Sequence, residues 1–304
     1  MVEHQQYPWF ERRTFLRGVV GSTAHGLHTD DGVDDRDEMG ICIEPMANMI
    51  GASEFEQVIY RTAAEREGKH DAPSKSGDLD LVVYSLRKWA RLALHGNPTV
   101  LMLLYLPPEL CVTRTALAGQ LQALAPNFVS REAGQRFLGY LTAQKQRLLG
   151  ERGGMDVRRP ILIEKYGYDT KYAMHMVRLG FQGVEFLKTG RLTLPMPEPE
   201  RSWIRSIRVG QVSQQEVLSR AGELEREIKD LIDCGPLPFK ANAEPVWAWV
   251  RSVYLEWWKC DLFDESVANG HGVGTKQETL TPSVADTAPK EHSNVSILTP
   301  REGA

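Results

Sequence analysis

Residues 21–41 read GSTAHGLHTDDGVDDRDEMGI, a Gly21-Ser22 pair followed, after an acidic spacer, by Asp35-Arg36-Asp37. Upstream, Phe15–Val20 (FLRGVV) has the length and apolar content of a short strand, and Thr23–Leu27 is compatible with a short helix. A Gly-Ser turn between a strand and a helix offers backbone N–H groups and a hydroxyl to an anion. Alternate residues of an extended chain share a face, so Asp35 and Asp37 project the same way. Two like charges so placed repel and favour protonation unless a cation neutralises them. Further strand candidates are Met39–Ile43, Phe55–Thr62 and Leu79–Tyr84, and the last of these carries a third carboxylate, Asp80. An oxygen-rich pair with a third carboxylate suits Mg²⁺, which takes one or two protein carboxylates together with substrate phosphates. Two such ions, about 4 Å apart, can hold the attacking and leaving oxygens of an in-line phosphoryl displacement.

Two other motif readings of the stretch fail. An EF-hand loop beginning at Asp35 puts Gly40 at its sixth position, but Met39 and Met46 fall at the fifth and twelfth, where side-chain oxygens are needed. A P-loop beginning at Gly21 reaches Gly26, but Leu27-His28 follow where Lys and Ser/Thr are required. A solvated acidic turn is the plain alternative.

The surrounding chain has 304 residues, 42% of them hydrophobic and 25% charged, enough for a sizeable core and too apolar for wholesale disorder. The longest apolar run, Val100–Leu106, is far short of the roughly 20 residues that span a bilayer. No basic-then-apolar leader opens the sequence, and Cys42, Cys111, Cys234 and Cys260 form no Cys-x-x-Cys pair. These features predict a soluble, cytoplasmic protein with reduced thiols and no membrane partner. A net charge of −4 argues against a strongly basic nucleic-acid coat. The charge is nevertheless polarised: residues 28–44 hold seven acids and one base, whereas residues 145–191 hold ten bases and five acids. An acidic turn in one half and a basic segment in the other is the pairing a metal–polyphosphate site needs, though charge runs are also ordinary solvated faces.

Secondary structure changes character along the chain. To about residue 110 strands alternate with helices; Ser85–His95 has helical spacing behind a serine cap, and Pro98 starts another helix after the Gly96-Asn97 break. Beyond that the pattern is helical throughout: Thr115–Leu124, Ser130–Leu149, Asp169–Lys188, Ser213–Ile232 and Glu244–Phe263. Ser213 and Glu216 form a capping box, and Asp169 caps the helix after it. Within that helix Lys171, His175 and Arg178 fall on one stripe beside an apolar one of Met174, Val177, Phe181 and Val184. Trp247, Trp249, Trp257 and Trp258 read as interhelical packing rather than a stacking platform for bases. From Ser266 onward there is no aromatic residue, and that composition predicts disorder.

The Gly-Ser…Asp-x-Asp stretch resembles the signature of the DNA polymerase β-type nucleotidyltransferase superfamily. Three further blocks resemble, in order, a family of predicted nucleotidyltransferases of bacteria and their phages: Asp80–Pro98 (DLVVYSLRKWARLALHGNP), Tyr168–Leu179 (YDTKYAMHMVRL) and the segment around Ile207-Arg208. Together they span roughly residues 12 to 255. The resemblance implies that Gly21 and Ser22 hold a triphosphate, that Asp35 and Asp37 bind two Mg²⁺ ions, and that Asp80 is the third carboxylate. Asp78 lies on the same strand face, but the spacing to Tyr84–Lys88 favours Asp80. One departure is Asp34, where the family often has serine; it adds negative charge beside the metals. Lys171, with His175 and Arg178, implies a helix closing on the nucleotide's phosphates, with Arg87 and Lys88 as further candidates. His25 reads as either structural or phosphate-adjacent, and Asn97 as a helix cap.

The expected architecture is α+β: a small mixed-sheet nucleotidyltransferase domain over residues 1–112, a helical nucleotide-closing domain over 113–264, and a disordered tail over 265–304. The expected activity is Mg²⁺-dependent transfer of a nucleoside monophosphate from an NTP, such as ATP, to an acceptor hydroxyl, with release of pyrophosphate. The acceptor (an RNA end, a protein hydroxyl or a small molecule) is left open. The rival expectation is a nucleotide- or partner-binding protein that keeps the fold without catalysis.

Overall fold

A computed structural model describes residues 7–28, 36–51, 54–69, 72, 74–151 and 159–268, with side chains to residue 260. Asp34 and Asp35 lie outside the described residues, as does the predicted tail beyond Ala268. The N-terminal part is a mixed five-stranded sheet, and many helices follow it. Its strands are β1 (Thr14–Val19), β2 (Arg36–Cys42), β3 (Gln57–Arg61), β4 (Leu79–Ser85) and β5 (Cys111–Arg114), in spatial order β3-β4-β2-β1-β5. Only the central pair, β2 and β4, runs parallel; the other pairings are antiparallel. That pair needs a crossover between its strands, which the chain supplies through the helices α2 (Met46–Ile50) and α3 (Thr62–Glu67) and the edge strand β3.

The turn after β1 opens a five-residue helix, α1 (Gly21–His25), which Gly26 closes in the left-handed conformation. Behind the sheet α4 (Leu86–Leu94) and α5 (Pro98–Tyr105) form the first helical layer. Ser85 accepts a hydrogen bond from the Lys88 N–H, and Asn97 from those of Thr99 and Val100, so both act as the caps their positions suggest. Trp89 is fully buried between these helices, and its indole N–H donates to the Val100 carbonyl at 3.1 Å.

The remaining helices are α6 (Ala116–Ala123), α7 (Glu132–Leu149), α8 (Pro160–Tyr166), α9 (Thr170–Thr189), α10 (Glu200–Arg208), α11 (Gln214–Cys234) and α12 (Ala243–Ala268). Asp169 and Ser213 cap α9 and α11 through their side chains. Helix α9 is the hub. A Cβ on its Gly180 would lie 2.8 Å from Leu224 of α11, and one on Gly183 would lie 2.9 Å from Ile228 and 3.0 Å from Phe137 of α7. Two glycines on one helix therefore set how closely α7 and α11 approach it.

One buried apolar cluster runs without a break from Phe15 in β1 to Tyr254 in α12. β5 extends the sheet across position 112 and pairs with β1, so strand structure continues slightly past the point where helices alone were expected. α12 carries helix through Glu265–Ala268, four residues assigned to the tail by composition. Its tryptophans do pack: Trp249 N–H donates to Gln120 at 3.0 Å, Trp258 N–H to the Glu44 carbonyl at 3.2 Å, and Arg13 lies over the Trp257 ring. No helix among the described residues is long and apolar enough to cross a membrane.

Candidate active site

The parallel register of β2 and β4 places Asp37 directly beside Asp80. In β3, on the other side of β4, the register partner of Asp80 is Arg61, whose Nε donates to Asp80 Oδ2 at 3.2 Å. The Ser74 hydroxyl lies 3.0 Å from both Asp80 oxygens. Asp78 is engaged elsewhere. Arg66 grips it with two nitrogens at 2.6 and 3.0 Å, and the Lys75 N–H donates to it at 2.7 Å. The Arg66 guanidinium, followed by that backbone donor, holds the Asp78 carboxyl below the usual carboxylate range. Asp78 therefore staples a turn, and it is Asp80 that opens onto solvent-accessible space.

That space is a cavity of about 400 Å³ whose lining includes Val20, Gly21, His25, Asp37, Arg61, Asp80, Arg178 and Leu179. Met39, Ile59, Leu81, Val82, Pro98 and Met102 give it apolar walls. Gly21 has φ +64°, and a Cβ there would fall 2.2 Å from Asp37 Oδ2, so the start of α1 lies directly against the carboxylate. Glu38, next to Asp37, is 4% exposed and neutralised by Arg17 at 2.5 Å and Arg36 at 2.6 Å. It thus adds little to the crowding of negative charge that the acidic stretch suggests.

Helix α9 closes the cavity from the other half of the chain. Arg178 Nη1 lies 2.6 Å from His25 Nε2 and donates to Gln182 Oε1 at 2.9 Å. No carboxylate among the described residues pairs with it, and burial lowers its pKa to about 10, which leaves it a cation at neutral pH. His175 and Lys171 continue the stripe; burial first, then Arg178, Lys171, Arg159 and Arg208, push His175 well below the ordinary histidine range. Burial, then Arg178 and His175, do the same to His25.

Of the residues singled out by sequence, Gly21, Asp37, Asp80 and Arg178 thus share one cavity. Ser22 is the second residue of α1; Lys171 and His175 lie further along the α9 stripe; Asp35 falls outside the described residues. Arg87 and Lys88 line a different cavity, at the opposite end of β4, where Lys88 pairs with Glu56 at 2.7 Å. Sequence reading overlooked Arg61, Ser74 and Gln182. The first two reach Asp80 through strand register and the polar 68–77 loop, and Gln182 lies one turn beyond Arg178 on the buried side of α9.

A pH dependence follows from the two depressed histidines. Unfolded, each takes its proton near pH 6.5; folded, each resists it to lower pH. The stability they contribute is therefore complete above pH 6.5 and lost as pH falls through their folded-state pKa values. The urea midpoint should drop between pH 6.5 and 5, at up to roughly 1.4 kcal/mol per pH unit for each histidine. His175→Gln should roughly halve that slope, and equal slopes in the two proteins would show that His175 titrates normally.

A mixed sheet that sets Asp37 beside Asp80, next to the Gly-Ser start of α1, is the arrangement that the resemblance to the DNA polymerase β class leads one to expect. The chain belongs to the RNA repair pathway DNA polymerase beta family, whose model matches residues 3–233. No curated protein matches the sequence significantly. Among solved structures, a nucleotidyltransferase-like protein from Exiguobacterium sibiricum 255-15 aligns over 76% of this chain and 72% of its own, at 12% identity and a TM-score of 0.27.

Proposed function

We propose that the protein transfers a nucleoside monophosphate from an NTP to an acceptor hydroxyl, releasing pyrophosphate. The observation that supports this most is the shared cavity, in which neighbouring carboxylates of β2 and β4 lie with the start of α1 and an uncompensated arginine of α9. The donor chemistry suits Mg²⁺, because Asp37 and Asp80 offer carboxylate oxygens and a triphosphate would add its own. Among the described residues no group of three or more His, Cys, Asp or Glu side chains is placed to hold an ion; Asp35 would be the missing member. Bound there, Mg²⁺ would supply neutralisation of the charge that builds on the phosphoryl oxygens.

The chain's own groups divide the remaining work. Backbone N–H groups at Gly21 and Ser22, with Arg178 and Lys171, bind and orient the triphosphate, a positioning task worth much of such a barrier. The apolar walls around Met102 and Leu179 take the sugar and base. The acceptor oxygen bonds to the α-phosphorus as the bond to the β-phosphate oxygen breaks, and Asp80 takes the acceptor's proton. Arg61 and Ser74 orient that carboxylate. Their grip on both oxygens of Asp80 also favours the second reading, a nucleotide binder without turnover.

Incubation of the protein with Mg²⁺, cell extract and each α-labelled NTP separates these readings. Transfer predicts a labelled acceptor and released pyrophosphate with at least one NTP. Saturable NTP binding without label transfer would favour the binder, and absence of both would sink the nucleotide assignment.

A further inference from the structure

We propose that His25 and Gln182 form a positioning device for Arg178, holding its guanidinium toward the cavity where a triphosphate would bind; this inference rests on the nucleotide reading above. A guanidinium only donates hydrogen bonds, so the 2.6 Å contact from Arg178 Nη1 makes His25 Nε2 an acceptor. The imidazole is therefore neutral with its proton on Nδ1; the Gln182 amide nitrogen 3.2 Å from Nδ1 is itself a donor and makes no hydrogen bond to it in this state. Gln182 Oε1 accepts from the same Nη1 at 2.9 Å, so two neutral acceptors hold one nitrogen of the guanidinium. His25 and Gln182 are each 2% exposed.

The arrangement is costly unless it serves a ligand. A half-buried arginine such as Arg178, its Nε enclosed, is commonly paired with a carboxylate, and two neutral acceptors compensate its charge only in part. Its Nε is buried with no hydrogen-bond partner among the described residues. A carboxylate in place of His25 would satisfy the cation better, but it would also cancel the positive charge and repel a phosphate. Neutral acceptors fix the geometry of the guanidinium and leave its charge for an incoming anion. The acceptors come from both halves of the chain, since His25 ends α1, the helix that begins at Gly21, whereas Gln182 follows Arg178 by one turn of α9. The pair thereby ties the α1 phosphate turn to the helix that closes over it. The charged and titratable groups facing His25 are Arg178 and His175; burial first, and then these two neighbours, disfavour the protonated ring.

The test uses the full chain and calorimetric binding of inorganic tripolyphosphate and of Mg²⁺-ATP at pH 7.5. His25→Phe, which keeps the ring's bulk but has no acceptor, should weaken both ligands by about tenfold or more, the scale of a lost hydrogen bond to a charged group. Gln182→Leu should act in the same direction. His25→Gln, which restores an acceptor, should recover affinity to within about threefold of the parent. In an Arg178→Met background His25→Phe should have no further effect, because its influence passes through the arginine. A merely structural histidine would instead lower affinity equally in both backgrounds and would not be rescued by glutamine, and either result overturns the proposal. If Arg178→Met weakens binding while His25→Phe and Gln182→Leu do not, the positioning role falls and the nucleotide reading stands. If the parent binds neither ligand, both fall together.

Discussion

Asp37→Asn is expected to abolish nucleotidyl transfer, by three orders of magnitude or more, in a protein as stable as the parent. Asp37 stands beside Asp80 across the parallel pair and against the first residue of α1. Asparagine keeps the shape of that contact but removes the charge that would hold a cation. Loss of the cation should cost far more in rate than a single neutral hydrogen bond does. Stability should change little, because asparagine keeps the side chain's shape and hydrogen-bonding oxygen while one of two adjacent negative charges disappears. Ligand linkage gives a second readout. In the parent, Mg²⁺ with a nonhydrolysable NTP at 100 times its Kd should stabilise the fold by about 2.7 kcal/mol, and so raise Tm by roughly 5–10 °C. The variant should lose most of that rise. A solvated acidic turn predicts no ligand-dependent rise in either protein, and a binder predicts the rise without turnover. Full transfer by Asp37→Asn would remove both the site and the proposed activity.

Gly21→Ala should be nearly as damaging, for a reason that is geometric rather than electrostatic. The backbone there has φ +64°, a region that costs a residue with a Cβ about 1–2 kcal/mol. The new methyl would also fall 2.2 Å from Asp37 Oδ2, far inside contact distance. The backbone of α1 is fixed by β1 before it and by Gly26 after it, so the carboxylate is the part that yields. A displacement on the order of 1 Å in a reacting group can cost about a hundredfold in rate. The expected result is a folded protein, weakened by about 1–2 kcal/mol in urea unfolding, with at most about a hundredth of the parent's turnover. Near-normal turnover would mean that Asp37 is not held where it works.

Much of this arrangement is legible in the chain because its signals are local. Ser85, Asn97, Asp169 and Ser213 each precede a helix and each accept backbone N–H groups with their side chains. β1, β4 and the Met39–Cys42 part of β2 are short apolar runs bounded by turn residues, and β2 and β4 carry Asp37 and Asp80, two of the three carboxylates that the resemblance singles out. What escapes reading is set by partners distant in sequence. β5 is four residues long and follows Pro107-Pro108, so it has no pattern of its own; it is a strand because β1 offers it an edge. α10, just after Pro195, Pro197 and Pro199, is absent from the helices read in the sequence and is held by burying Ile204 and Ile207. Arg61 meets Asp80 only through sheet register, and His25 meets Arg178 across 153 positions. The stapling of Asp78 by Arg66 is likewise invisible until the loop between β3 and β4 is folded.

The last helix has a consequence for how the chain is made. Glu44, at the end of the sheet's second strand, is 1% exposed; its carboxylate receives the Tyr254 hydroxyl at 2.8 Å, and its carbonyl receives the Trp258 indole. The Tyr254 oxygen in turn accepts the Arg87 N–H at 3.0 Å. A ribosome releasing this protein from its N-terminus therefore exposes the sheet, whose last strand ends at Arg114, some 140 residues before Tyr254 and Trp258 appear. Until then Glu44 lacks the Tyr254 hydroxyl and the nascent sheet keeps a bare apolar flank, the kind of surface on which chaperones act. Completion of the sheet half waits on the emergence of the final helix, so a ribosome stalled before about residue 250 leaves an unfinished sheet rather than a smaller finished fold.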